Sequence, residues 1–139
     1  VDTTLFYHND TWWLFTSVKE HEGSIASDEL YLLSSKDPLS TNWTPHPKNP
    51  VISDVRKARS AGNIFVKDDQ IYRPSQDCSR NYGYAININQ ITKLNEQEFE
   101  ETQINTIRPN WDKNINAVHT YNKAKGLTII DAQRQIPKY

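Results

Sequence analysis

Five polar side chains that could bind a ligand or act on it chemically lie within one short stretch of this sequence. Arg59 comes first, Arg73, Gln76 and Asp77 follow, and Tyr82 ends the series. Guanidinium, amide and carboxylate groups beside an aromatic ring can hold a polyhydroxylated or anionic ligand, because they combine forked donors and acceptors with a flat apolar face. We therefore expect Arg59, Arg73, Gln76 and Tyr82 to bind substrate.

Two carboxylates and one histidine complete the set of candidate site residues. Asp2 and Asp77 are the candidate catalytic groups, and His119 is a further candidate for substrate binding. Each has a structural alternative. Asp2 can cap a turn, Asp77 can form an internal salt bridge, and His119 can be a hydrogen-bonded structural residue.

The other candidates also have structural alternatives. Arg59 and Arg73 suit internal ion pairs as well as ligand contacts, since a guanidinium forms forked bonds with any carboxylate. Gln76 can stabilise a turn, and Tyr82 can belong to the core rather than to a stacking surface.

Three predicted β-hairpins must position these residues. Each has β-prone residues on both sides of a short polar turn. The first joins Leu5–Tyr7 to Trp12–Phe15, the second spans Ile64–Tyr72 across an Asp-Asp-Gln turn, and the third joins Ala117–Tyr121 to Leu127–Asp131 across Asn122–Gly126. The third places His119 inside a strand.

Further strands are predicted between the hairpins. Glu29–Ser35 is a short apolar strand, and Tyr84–Ile91 alternates with period two, as in a half-buried strand. Phe99–Ile104 fits a polar edge strand, in preference to a helical turn, with its glutamates in solvent. Lys19–Ser27 is a loop, and the prolines at 45, 47 and 50 exclude regular pairing except at a sheet edge.

The hairpins form an internal repeat. Phe6 and Phe65 are 59 residues apart, and Phe65 and His119 are 54 apart. Such a period with about four short strands per repeat is typical of β-propeller blades. We predict an all-β chain of four-stranded antiparallel sheets, forming about two and a half blades at roughly 1–55, 56–110 and 111–139 of one partial domain. A β-sandwich is the alternative.

Composition restricts the function further. The net charge of −1 gives no general attraction to nucleic acid, and no apolar run approaches the ~18 residues of a membrane span. The single Cys78 excludes an internal disulfide and a multi-cysteine zinc site, and we expect neither a metal nor a cofactor. No signal peptide is seen, which favours a cytoplasmic location while leaving the compartment open.

Short motifs that point to a known family are spread along most of the chain. They are Asp2-Thr3-Thr4-Leu5-Phe6, His46-Pro47, Arg59-Ser60-Ala61-Gly62, Tyr72-Arg73-Pro74, Gln76-Asp77, Tyr82-Gly83, His119-Thr120 and Ile130-Asp131. In these motifs the sequence resembles five-bladed propeller glycosidases of the glycoside hydrolase family 43 superfamily. Within that superfamily it is similar to the amino-terminal domain of plant glucosamine inositolphosphorylceramide transferases and their bacterial homologues. The resemblance implies the carboxyl-terminal part of a five-bladed propeller.

The resemblance also implies a departure from hydrolase chemistry. The family's base aspartate belongs to an opening blade that this chain lacks, and Asp2 matches the aspartate that tunes the acid. Arg59-Ser60-Ala61-Gly62 stands where a Glu-Gly-Pro acid motif is expected, and arginine cannot donate a proton near neutral pH.

Two functions remain open on these grounds. The first is a carbohydrate-active propeller that acts on or binds a glycoside or sugar-phosphate and assists glycosyl transfer. The second is a non-catalytic module that binds sugars or nucleotide-sugars. In both cases a second copy of the chain, or the missing amino-terminal blades, would cover the open sheets.

Overall fold

A computed structural model of the protein describes residues 1–19 and 25–136, which form thirteen β-strands and no helix. The first group of strands is β1 (Thr4–His8), β2 (Thr11–Thr16), β3 (Glu29–Ser35), β4 (Thr44–Pro45) and β5 (Ile52–Ser53). The second is β6 (Phe65–Lys67), β7 (Gln70–Asp77), β8 (Ala85–Leu94) and β9 (Phe99–Ile107). The third is β10 (Ile115–Ala117), β11 (Tyr121–Ala124), β12 (Leu127–Ile130) and β13 (Gln133–Arg134).

The first two groups each form an antiparallel sheet whose neighbours follow chain order. The first sheet runs β1-β2-β3-β4 with β5 also paired to β3, and the second runs β6-β7-β8-β9. In the third group, β10 pairs with β13 and β11 pairs with β12. The all-β, antiparallel architecture is confirmed. The described residues form no closed propeller, and the blade count stays a prediction.

Two-residue turns close the first two predicted hairpins. Asn9 and Asp10 have φ of 49° and 54°, and Asp68 and Asp69 have φ of 51° and 59°. Two successive left-handed residues form the turn whose twist matches that of the flanking strands, and asparagine and aspartate tolerate this conformation better than other side chains. Both hairpins are confirmed.

The remaining strands of these sheets agree with prediction except in one respect. β3 has the predicted bounds, β4 places Pro45 at a sheet edge, and β9 is an edge strand. β8 differs from the half-buried strand predicted at Tyr84–Ile91, because Ala85 to Asn89 are buried on both faces. Other groups of strands cover both sides of β8 there. Most of the predicted Lys19–Ser27 loop lies outside the described residues.

The third hairpin is confirmed, but its first strand is displaced along the chain. β11 spans Tyr121–Ala124 instead of ending at Tyr121, and His119 lies between β10 and β11. The prediction of His119 inside a strand is therefore wrong. The backbone N–H groups of His119 and Thr120 are bound by the side chain of Asp131, so they are not available to a neighbouring strand.

Two hydrophobic clusters lie on opposite faces of the second sheet. One face contributes Ile91 to a cluster that includes Trp13, Phe15 and Leu32 of the first sheet. The other contributes Ile86 and Ile88 to a cluster that includes Val118 and Tyr121 of the third group. Because successive strand residues point to opposite faces, one strand serves both clusters. The second sheet is thus the middle layer of the described structure.

Gly62 is where the middle layer meets the third group. Its φ is +127°, and an added Cβ would lie 2.1 Å from the backbone oxygen of Tyr121. The Tyr121 N–H donates to the Ala61 carbonyl at 2.7 Å, which fixes the two backbones against each other. The position therefore needs glycine for both conformation and space.

We predict that Gly62→Ala lowers the free energy of unfolding by more than about 3 kcal/mol, because backbone strain and a backbone clash add together. Gly126→Ala is the matched control. Gly126 has φ of +80° but no atom within 4 Å of an added Cβ, so its cost is about 1 kcal/mol. Urea unfolding measures both, and equal losses would contradict the role of the Tyr121 contact.

Candidate functional site

The segments that precede β1, β6 and β11 lie side by side. We call residues 1–3, 59–62 and 118–120 the opening segments. Thr4 Oγ1, at the start of β1, donates to the Gly62 carbonyl at 3.3 Å, and the Tyr121 N–H donates to the Ala61 carbonyl. The first strands of the three hairpins, β1, β6 and β11, therefore start near the same place, which brings Asp2, Arg59 and His119 into one region although they are far apart in sequence.

Arg59 forms the first link of the site. Its Nε atom lies 2.5 Å from Oδ2 of Asp2, and its Nη1 donates to Ser27 Oγ at 3.1 Å. The Arg59 side chain is 19% exposed and that of Asp2 is 38% exposed. Partial burial strengthens such a charge-assisted bond relative to one in open solvent. The two predicted residues are therefore in contact, with the guanidinium held in a fixed direction.

Tyr82 forms the second link. The guanidinium carbon of Arg59 lies 4.9 Å from the centre of the Tyr82 ring, within the range of a cation–π contact. The Tyr82 and His119 ring centres are 5.3 Å apart. Partial burial raises the pKa of the Tyr82 hydroxyl, so the phenol is neutral at physiological pH.

His119 and Asp131 form the third link. Nδ1 of His119 lies 2.6 Å from Oδ2 of Asp131. The second carboxylate oxygen accepts bonds from the backbone N–H groups of His119 and Thr120, at 3.1 and 2.7 Å. These bonds fix the carboxylate, which in turn favours a proton on Nδ1. In the described part of the chain Nε2 has no hydrogen-bond partner, so it is available to a ligand.

These residues border a cavity of about 320 Å³. Its lining includes Tyr82, the histidine–aspartate pair and the two residues at the entry to β13, and consists of Tyr82, Gly83, Ala117, His119, Asp131, Ala132 and Gln133. Asp131 was not predicted as a site residue. Its signals in the sequence were its position at the end of the third hairpin, twelve residues after His119, and its place in one of the motifs that carry the resemblance.

Arg73 and Gln76 lie inside the protein rather than on this cavity. Nε and Nη2 of Arg73 each bind a carboxylate oxygen of Glu101 at 2.8 Å, and Nη2 also donates to the Lys57 carbonyl at 2.7 Å. The Arg73 and Glu101 side chains are only 1% and 3% exposed. The prediction that the glutamates of this strand lie in solvent is therefore wrong for Glu101, which is buried against Arg73. Gln76 Nε2 donates to the Ser60 carbonyl at 3.0 Å.

Asp77 and Cys78 also lie apart from the cavity. Oδ1 of Asp77 accepts bonds from the N–H and hydroxyl of Ser79, at 3.0 and 2.6 Å, and Asp77 lines a different cleft. Burial raises the pKa of the Cys78 thiol, which disfavours the nucleophilic thiolate. Within residues 1–19 and 25–136, no group of three His, Cys, Asp or Glu side chains is placed to hold a metal ion.

The arrangement can be compared with known proteins. A family profile described as glucosamine inositolphosphorylceramide transferase 1, N-terminal, matches residues 1–134. The chain belongs to this family. The resemblance to this amino-terminal domain that the sequence motifs indicated is thereby confirmed. The described residues contain no helix long and apolar enough to cross a membrane.

Curated relatives with the name glucosamine inositolphosphorylceramide transferase 1 match most of the chain. The Arabidopsis thaliana protein is 36% identical over 106 residues, 75% of this chain. The proteins of Oryza sativa subspecies indica and japonica are each 34% identical over 107 residues, 76% of this chain. The match spans only 14% of the length of each relative. No solved structure matches the chain.

We predict that Arg73→Leu or Glu101→Leu destabilises the fold by about 3–5 kcal/mol, because each leaves one buried charge without its partner. Lys93→Ala is the control. Lys93 pairs with Glu98 and Glu100 at the surface, where its side chain is 44% exposed, and solvent screening makes its loss far less costly than that of a buried partner. Denaturant unfolding compares the three, and a small loss in the Arg73 variant would contradict a structural ion pair.

Proposed function

We propose that this chain is a partial five-bladed propeller domain that binds a carbohydrate in the cavity beside Tyr82 and His119. The single observation that supports this most is the continuous series of contacts Asp2–Arg59–Tyr82–His119–Asp131, drawn from all three groups of strands. It presents an aromatic ring next to fixed polar groups at the edge of a cavity of about 320 Å³. Such a combination suits a pyranose, which has both apolar ring faces and hydroxyl groups.

The state of the carboxylates favours binding over hydrolysis. Inverting hydrolysis needs one free carboxylic acid and one free carboxylate, separated by ~6.5–9.5 Å across the scissile bond. Here Asp2 is bound by Arg59, Asp131 by His119 and two N–H groups, and Asp77 by Ser79. Arg59 occupies the position of the acid motif in the resemblance, and Asp131, the carboxyl group among the described lining residues of the cavity, is engaged by His119 and two N–H groups.

The association with glycosyl transfer is also part of the proposal. The relatives carry the name glucosamine inositolphosphorylceramide transferase 1, and the matched segment is a small share of their length. We place this chain beside such an activity as a domain that holds a sugar, either the donor or the growing glycan. A sugar-phosphate is included among its ligands.

Exposed apolar side chains support the partial propeller. Leu127 and Ile129 of β12 are 59% and 56% exposed, and Leu5 of β1 is 46% exposed. Blades of a propeller bury such faces against one another. We propose that further blades, or a second copy of the chain, cover these strands.

We predict that Tyr82→Ala weakens glycan binding at least about tenfold, because the sugar loses the ring on which it stacks. Arg59→Ala weakens it as well, since Arg59 fixes both Asp2 and the Tyr82 ring. Tyr7→Ala is the control, because Tyr7 and Tyr82 are both 52% exposed and Tyr7 lies on β1, away from the cavity. A glycan array followed by calorimetry on each hit provides the measurement. Unchanged binding in the Tyr82 variant would exclude this site.

One observation favours a catalytic role as a second candidate. Asp131 orients His119 so that Nε2 is free beside the cavity, which is the arrangement of a general base. Such a base would accept the proton of the attacking hydroxyl, from water or a sugar, as that oxygen bonds to the anomeric carbon and the bond from this carbon to the leaving-group oxygen breaks.

Turnover distinguishes the two candidates. The binding proposal predicts that p-nitrophenyl glycosides are not hydrolysed faster by the wild-type chain than by its His119→Gln variant. A wild-type rate that falls about 10²-fold or more in both His119→Gln and Asp131→Asn would instead assign His119 as a base. Loss of that rate in Asp2→Asn would add Asp2 to the catalytic set.

A further inference from the structure

A second cleft, of about 290 Å³, lies on the face of the second sheet that looks toward the first sheet. It is lined by charged and amide side chains, with no aromatic or aliphatic residue among them: Asp54, Arg56, Lys57, Asp77, Asn87, Gln103, Thr106 and Arg108. It shares no lining residue with the cavity beside Tyr82. The polar lining of this cleft is therefore not explained by the proposed carbohydrate cavity.

A β-bulge builds the floor of this cleft. Asn105 pairs with Ile88 and Gln103 with Asn89, which leaves Ile104 as an extra residue in β9. The bulge shifts the alternation, so Gln103 and Thr106 point to the same face although they are three residues apart. Both side chains donate hydrogen bonds to Oδ1 of Asn87, at 3.1 Å from Gln103 Nε2 and at 2.8 Å from Thr106 Oγ1.

Asn87 makes the floor rigid. It is only 2% exposed, and its Nδ2 donates to the Arg56 carbonyl at 2.8 Å. Both polar atoms of the Asn87 side chain are therefore hydrogen-bonded. Oδ1 is bound by residues of β9, and Nδ2 is bound to the segment before β6. The side-chain Nε2 of Gln103 donates a further bond to Thr106 Oγ1 at 2.9 Å. The side-chain oxygen of Gln103 accepts no hydrogen bond within the described residues. The floor offers one free acceptor.

The rim of the cleft carries an excess of positive charge. Arg56 and Asp54 form a pair through two N–H groups, and the Arg56 hydrogen bond holds the pKa of Asp54 below its usual value. Lys57 and Arg108 make no salt bridge within the described part of the chain. Asp77 is the remaining carboxylate, and its Oδ1 is already bound by Ser79. The cleft therefore has two cations without a salt bridge, Lys57 and Arg108, and one carboxylate, Asp77, that is bound at one oxygen only. This local positive excess contrasts with the net charge of −1 of the whole chain.

The buried Arg73–Glu101 ion pair holds the backbone of one of these cations, Lys57. Arg73 donates to the Lys57 carbonyl at 2.7 Å and to the Ala58 carbonyl at 3.4 Å. The backbone at Lys57 is therefore anchored to the interior, and Lys57 is one of the residues that line the cleft. An anion bound there would meet donors that are held by the fold rather than by mobile loops alone.

We propose that this cleft is a binding site for a phosphate group, separate from the carbohydrate cavity. Arg108 supplies forked donors that match phosphate oxygens, Lys57 supplies a point charge, and the free Gln103 oxygen accepts from a protonated phosphate oxygen. The group belongs either to free phosphate or to a phosphorylated sugar. Both cavities lie at the end of the second sheet where Asp77 pairs with Ala85.

Titration of inorganic phosphate into the isotopically labelled protein, with chloride matched for ionic strength, tests the proposal. We expect saturable shifts of the amide resonances of Gln103, Thr106 and Arg108. Arg108→Gln and Lys57→Gln each weaken the affinity at least about tenfold, because each removes a charge-assisted contact. Lys125→Gln is the control, since Lys125 is an exposed cation in the turn between β11 and β12. Shifts that do not saturate, or an equal loss in the control, would overturn the proposal.

The source of the phosphate is tested by comparing inorganic phosphate, glucose 1-phosphate and glucose. Equal affinity for the first two supports a site for free phosphate, and tighter binding of glucose 1-phosphate that still requires Arg108 supports a sugar-phosphate. Glucose alone shifting the same amides would overturn the assignment to an anion. Tyr82→Ala is expected to leave binding of inorganic phosphate unchanged, so this site and the carbohydrate cavity can fail independently.

Discussion

The structure depends on one buried ion pair. Arg73 and Glu101 lie across β7 and β9, almost wholly removed from solvent, and Arg73 also binds the carbonyls of Lys57 and Ala58. Burying two charges costs several kcal/mol each, and the cost is offset only when geometry and hydrogen bonding are complete. Removing either partner leaves the other without compensation. The pair therefore allows little variation in how the second sheet and the segment that leads into it fit together.

That leading segment connects the interior to every candidate site. Lys57 reaches the polar cleft, Arg59 reaches Asp2 and Tyr82, and Gly62 meets the backbone before β11. The Ser60 carbonyl accepts a bond from Gln76, one of the buried side chains of β7. Residues that the sequence presents as one group of ligand-binding candidates thus have different roles. Arg73 and Gln76 of β7 anchor the segment. Asp77 and Tyr82 line the two cavities, and Arg59 joins Asp2 to the Tyr82 ring.

Local interactions were predictable from the sequence, and contacts between distant residues were not. The first two hairpins depend on two-residue turns such as Asn9-Asp10, whose preference is a property of the residues themselves. The buried state of Glu101 depends on Arg73, 28 residues earlier, and nothing in a run of glutamates marks one member as buried. The place of His119 outside a strand depends likewise on Asp131. The bulge that turns Gln103 toward the polar cleft leaves no periodic signal either.

The opening segments have a consequence for how such a chain can diverge. Asp2, Arg59 and His119 lie in the opening segments, before β1, β6 and β11. None of the three belongs to the two hydrophobic clusters. Under the proposed carbohydrate-binding function, a change at one of these positions would alter the side chains at or next to the cavity, while the hairpin behind it keeps the contacts that fold it. In that case the ligand preference could change by point mutation at these positions, and selection for recognition need not oppose selection for folding.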